Sequence, residues 1–285
     1  MKRLIVCIVA LVFSYVLMAQ GKVTFLPSDS IKIEHLLSEA KEMSKEDNAI
    51  LYFARKFIDI PYIAHTLETK DKEHLVINTR QLDCLTLVET ASALAICHMR
   101  GLSSFTDYCD ILRLLRYRSG VTDGYPSRIH YFSEWITDNK AKGLVDNIEF
   151  SSIPFTAVGK VNVWFMGKHP ERYSMLNGRT NDINAIREIE NNINGQYFRF
   201  IPKDGITNNA VMRHTVRDGD ILAIVTSIPG LDIAHVGIAV WHSDGLHLLN
   251  ASSLHHKVIE EPMTLSEYMS KHRSQLGFRV VRLNK

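Results

Sequence analysis

The hydrophobic period changes along this 285-residue chain, and that change constrains the fold more than any other feature. In the first third, apolar residues recur at helical spacing. "SIKIEHLLSEAKEMS" puts Ile33, Leu36, Leu37 and Ala40 on one face, with Ser30 as the expected cap. "NAILYFARKFI" repeats the pattern with Leu51, Ala54 and Phe57. A longer helix runs from Cys84 to about Arg100 and stops at Gly101, with a stripe of Leu87, Val88, Ala91, Leu94 and Ala95. "SFTDYCDILRLLRYR" is a further helix, closed by Gly120. In the last third the period falls to that of strands: "DGDILAIVTS", "IAHVGIAVWH", "GLHLLNASS", "HKVIEEP" and "GFRVVRL", with "TLSEYMSKHR" as a helix among them. Ser243-Asp244-Gly245 marks a tight turn, and short turns between neighbours favour antiparallel pairing. Helices first and an antiparallel sheet later define an α+β class.

Between these parts the pattern is less regular. "GYPSRIHYFSEWITDNKAKG" reads as a turn and a helix, with Phe132, Trp135 and Ile136 on one side. "NDINAIREIENNING" is a polar helix ending at Gly195, and "QYFRFIPK" a strand. A short extended segment is expected just before the Cys84 helix.

The first twenty residues have the layout of a secretory signal: Lys2 and Arg3, an apolar run from Leu4 to Met18, then small Ala19. About 15 apolar residues are too few for a comfortable membrane span. The expectation is export across the inner membrane, a periplasmic location and no membrane insertion after signal removal. The expected mature domain is a single one over residues 21–285. Taking Lys2 and Arg3 from the 33 basic residues leaves 31, against 31 acidic ones. That balance favours no nucleic-acid partner.

Cys7 lies in the signal, so three of the four cysteines remain, and an odd number leaves at least one thiol free or bridged to another chain. Cys97 and Cys109 read as packing residues, with a mutual bridge as the lesser option. Cys84 differs because Asp83 is a good cap, which places Cys84 in a first helical turn. The partial positive charge there favours a thiolate, the nucleophilic form. The alternative is a small buried hydrophobe. A nucleophilic cysteine needs a base. His235, entering an apolar strand, is the candidate, and Asn250 on the next strand could fix its tautomer. No "HExxH" or Cys-x-x-Cys pair occurs, so a zinc amidase is disfavoured and no cofactor or metal is expected.

The order "IPY" (60–62), "LDC" (82–84), "AHVGIAV" (234–240) and "LLNAS" (248–252) resembles the NlpC/p60-type papain-like cysteine hydrolases. Leu-Thr-Leu after Asp-Cys, Asn as the third polar residue and the block "RYRSGVTDGYPSRIHYFSEWITDN" depart from the common pattern. They resemble a secreted N-acetylmuramoyl-L-alanine amidase-like branch. The resemblance implies a papain-like domain whose nucleophile opens a helix packed on the sheet, with a substrate-groove region inserted at about 118–205. It implies Cys84 as nucleophile, His235 as base, Asn250 as its orienter and Tyr62 on the oxyanion side. The implied reaction cleaves the bond between N-acetylmuramic acid and L-alanine, so peptidoglycan fragments (muropeptides) are the expected partners. Among Tyr125, Arg128, His130, Tyr131 and Trp135, the Gly-Pro turn residues Tyr125 and Arg128 are the better substrate-binding candidates, because Trp135 belongs to a helix's apolar stripe. Asp83 is expected beside the substrate as a cap, outside the chemistry. Three alternatives stay open: a D-glutamyl stem-peptide endopeptidase, a non-enzymatic glycan-binding shell and an acyltransferase.

Overall fold

A computed structural model describes residues 22–44, 47–69 and 72–284. The expected signal lies outside them. The described chain is α+β. Its helices are α1 (Pro27–Glu39), α2 (Ala49–Arg55), α3 (Cys84–Met99), α4 (Phe105–Arg116), α5 (Phe132–Ala141), α6 (Phe165–Lys168), α7 (Thr180–Ile193), α8 (Ala210–Thr215) and α9 (Leu265–Ser270). Strands β1 (Val23–Thr24) and β2 (Leu75–Val76) form a small parallel pair. The main sheet holds β3 (Val145–Ile148), β4 (Ala157–Lys160), β5 (Tyr197–Pro202), β6 (Ile221–Thr226), β7 (Ile233–Trp241), β8 (Leu246–Ser252), β9 (Lys257–Glu260) and β10 (Gln275–Leu283). Its order is β4-β5-β10-β6-β7-β8-β9, with β3 also on β10, and every pair is antiparallel. The turn after β7 is closed by the His242 N–H on the Gly245 carbonyl, at 2.9 Å.

Alternation along the strands gives the sheet two apolar faces. On β8, Leu249 and Ala251 join the core beneath α1–α5, while Leu246 and Leu248 join a second core under α9. A third core, containing Val163, Leu176, Ile186 and Phe200, lies within the segment around β4, β5 and α7.

The sequence stripe understated α3. Its residues are buried without interruption from Thr86 to Cys97, so α3 is a central helix with sheet and helices around it. Glu89 and Ser92 go inside with it; Glu89 meets Arg116 Nε at 2.7 Å. Removing a side chain such as Leu94 here costs about 2–5 kcal/mol.

Ser30 is not the cap of α1. The helix starts earlier, at Pro27, and the Asp29 carboxylate accepts the Leu26 N–H at 2.8 Å. The other Asp29 oxygen accepts the N–H and hydroxyl of Thr79, at 2.9 and 2.8 Å. Burial pushes this carboxyl upward, but the donations from Thr79 and Leu26 prevail and hold it below the usual range. The first helix is thereby tied to the loop that leads into α3. Among the described residues no helix is long and apolar enough to cross a membrane.

His130 sets one pH dependence of the fold. Its Nε2 donates to the Tyr125 carbonyl at 3.0 Å. Burial, then the Arg128 cation, pushes the ring down to about 3. The unfolded ring titrates near 6.5, so between these values the unfolded chain binds the extra proton. This contribution to stability is complete above pH 6.5 and is lost progressively as pH falls towards 3. Melting temperatures measured from pH 7 to pH 4 should fall less steeply in His130→Asn than in the wild type.

Candidate active site

The site is assembled where the start of α3 meets β7. Asp83 caps α3: its carboxylate accepts the Thr86 N–H at 2.8 Å, and the Asp83 N–H returns a bond to the Thr86 hydroxyl at 2.8 Å. This reciprocal cap fixes the first turn, so Cys84 is held as the first helical residue. The thiol is free and half-buried. Backbone N–H groups of Val236, Leu85 and Cys84 itself point at the sulfur. Val236 is the residue after His235, so helix start and strand meet at this thiol.

His235 sits beside an irregularity in the β6–β7 register, between the Ile224 and Val225 pairs, of the kind that re-aims a strand side chain. Its Nε2 lies 2.9 Å from the Asn250 Oδ1. The Asn250 amide nitrogen donates to the Leu248 carbonyl at 3.3 Å, which assigns the amide orientation. Nε2 therefore carries the proton, and Nδ1 keeps its lone pair. Asn250 is fully buried.

The surroundings of the thiol act both for and against the thiolate that a helix start favours. Burial, followed by the neighbouring Asp83 carboxylate, pushes the Cys84 thiol up to about 12, against the three N–H groups that lower it. A helix start offers roughly half a unit charge. Burial together with a negative charge one residue away outweighs it. Burial also pulls the His235 ring below its ordinary value, although Asn250 and Glu261 act in the opposite direction. Both shifts favour a neutral thiol and a neutral imidazole at rest.

Tyr62 is half-buried next to this pair. Its N–H bonds the His256 carbonyl at 2.9 Å, and it bridges to Leu82. Burial, then Cys84 and Asp83, raise its phenol, which keeps it a proton donor. The fold thus gathers Cys84, His235, Asn250, Tyr62 and Asp83.

Tyr125 and Arg128 lie elsewhere, inside the protein. They are 1% and 6% exposed. The Arg128 guanidinium packs 4.9 Å from the Tyr125 ring centre and reaches Glu68 at 2.8 Å and Glu73 at 3.7 Å. Tyr131 is also internal, with its hydroxyl on Glu190 at 2.7 Å, and Trp135 is buried against Phe132.

Sequence reasoning missed Glu261, Tyr268 and His272. Glu261 is 2% exposed and acts electrostatically on His235, as does His272; Tyr268 feels both Glu261 and Cys84. The signal is positional. Asn250 pairs with Ile259, so Glu261, two residues on, takes the same sheet face as Asn250. Only the register reveals it.

The fold is that of an α+β protein of amidase-like hydrolase type. The chain belongs to the AmiA-like family, described as N-acetylmuramoyl-L-alanine amidase-like, which matches residues 52–277. It is similar to an N-acetylmuramoyl-L-alanine amidase from Bacteroides uniformis, at 34% identity and a TM-score of 0.78, over 83% of this chain and 98% of that one. It is also similar to a Bacteroides fragilis protein named as a proposed xylanase, at 36% identity and a TM-score of 0.76, over 81% and 99% of the two chains. A Legionella pneumophila protein shares the fold, at 20% identity and a TM-score of 0.67, over 90% and 94%. Comparison with curated proteins found no match.

The neutral thiol has a measurable consequence. In His235→Ala, alkylation of Cys84 by iodoacetamide, followed by mass spectrometry, should be slow at pH 7 and rise throughout the alkaline range. Rapid labelling of that variant at pH 6 would show that the helix start holds a thiolate after all.

Proposed function

We propose that this protein is a cysteine-dependent N-acetylmuramoyl-L-alanine amidase with a papain-like site, acting on peptidoglycan fragments. One observation carries the reading: the Cys84 thiol lies at the Val236 N–H, one residue along β7 from His235, whose Nε2 is bonded to Asn250. The family supports the substrate class. The proposal includes export to the periplasm, as residues 1–20 suggest, and the NlpC/p60-type kinship read from the motif order.

In this reading His235 Nδ1 takes the Cys84 proton as Sγ attacks the lactyl carbonyl of the muramoyl amide. The oxyanion forms among the N–H groups at the start of α3 and the Tyr62 phenol. Asn250 Oδ1 accepts from Nε2 and steadies the imidazolium. His235 then delivers its proton to the departing alanine nitrogen, and the C–N bond breaks to leave a thioester. Water attacks that thioester, His235 removes its proton, and the carboxylic acid and the free thiol are regenerated. A neutral pair suits this general-base route, because no ion pair is required before substrate arrives. The acid limb of activity falls below pH 6.5, since burial lowers the His235 ring. Asp83 acts through the cap. Tyr125 and Arg128 stiffen the wall of the inserted region rather than reach substrate.

The name of the Bacteroides fragilis neighbour points to glycoside hydrolysis, which requires two carboxyl groups flanking the bond. Here the groups at the helix start are a thiol, an imidazole and an amide, and Asp83 is engaged by Thr86. A D-glutamyl endopeptidase would use the same three groups with a different groove. Mass spectrometry of muropeptide digests decides. The wild type should release free disaccharide and intact stem peptide, and Cys84→Ala should lose roughly 10⁴-fold or more in turnover while keeping its fold. A dipeptide left on the sugar would indicate the endopeptidase, and equal digests from both proteins would remove the proposal.

A further inference from the structure

Glu261 is the polar group of this region that its surroundings explain least. Its side chain is 1% exposed, yet neither carboxylate oxygen has a hydrogen bond among the described residues. Its one ionic neighbour is His255 Nε2, at 3.4 Å, on a side chain 37% exposed. Leu248, whose carbonyl the Glu261 N–H meets, belongs to the same core as Leu265 and Met269. Burying a carboxylate with so few partners costs several kcal/mol.

Its position shows where the charge could be used. The Glu261 N–H bonds the Leu248 carbonyl at 2.9 Å, which locks the residue beside β8. Asn250 pairs with Ile259, so the Asn250 amide and the Glu261 carboxylate share the face covered by α9. Asn250 holds His235. We propose that Glu261 is a positioning residue whose buried negative charge stabilises the protonated form of His235 during acyl transfer. The inference rests on His235 being the base.

The proton that His235 accepts from Cys84 creates a cation in a partly buried site. Asn250 offers only a dipole to that cation; Glu261 offers a full charge. The other groups facing the ring are His272, after α9, which opposes the cation, and Asp83, at the start of α3, which favours it. Tyr268 covers Glu261 from α9, bonded through its side chain to Gln275. His255 Nε2 faces the same carboxylate from the solvent side, at 3.4 Å.

The test is an NMR titration of the His235 ring in the full chain, together with pH profiles of muropeptide cleavage. Glu261→Gln keeps the shape and removes the charge. Its ring midpoint should move down by about one pH unit. The acid limb should follow, the plateau kcat should fall about tenfold, and KM should stay unchanged. His255→Ala, an exposed change, should move the midpoint upward. A merely structural Glu261 would alter melting temperature and leave midpoint and limb in place, and an unmoved midpoint in Glu261→Gln overturns the inference. The ring titration needs no turnover, so an inactive wild type would count against the amidase reading while the midpoint still decided the role of Glu261.

Discussion

Everything at the candidate site depends on one docking event: the amino end of α3 seated on β7, with the Cys84 sulfur under the Val236 N–H. That contact exists because α3 is buried on every side, a condition met by few helices with polar residues in their middle. Glu89 is the exception that has to be managed. Its partner Arg116 also donates to the Val76 carbonyl at 2.7 Å, so the buried pair links α3, α4 and β2. Losing either member would leave a stranded charge beside the helix that carries the thiol.

The electrostatics of the site follow from its partial burial. Desolvation is the largest influence on Cys84, Tyr62 and His235 alike, and in each case it favours the neutral form. Asp83 adds to the effect on the thiol because the carboxylate that builds the helix cap also repels a neighbouring negative sulfur. Local helix chemistry and nucleophile activation thus pull against each other at adjacent residues.

The region around β4, β5 and α7 has its own core and its own ionic wiring. Arg128 joins Glu68 and Glu73, while the Tyr117 hydroxyl bonds Glu73 at 2.8 Å. A tyrosine and an arginine at a Gly-Pro turn look like ligand-binding residues in a sequence. Here the turn folds inward and its aromatic ring becomes core. The guanidinium is matched by carboxylates contributed by a segment sixty residues away, which no local pattern reveals.

The sequence by itself determined the element types. Period 3.6 and period 2 each follow from a side chain's geometry along its own backbone, so the helices around Leu36, Leu94 and Leu112 and the strands around Val236 and Leu248 were legible without tertiary knowledge. The Asp83 cap was legible too, because capping is a three-residue interaction, and Cys84, His235 and Asn250 stood out by residue type and order. Three things were decided only by the tertiary structure. The tie of α1 to the loop before α3 depended on Asp29 meeting Thr79 fifty residues away. The charge of the thiol depended on burial, which is a property of the packed assembly. The place of Glu261 beside Asn250 depended on strand register, since a slip of one residue would turn that carboxylate to the opposite face of the sheet.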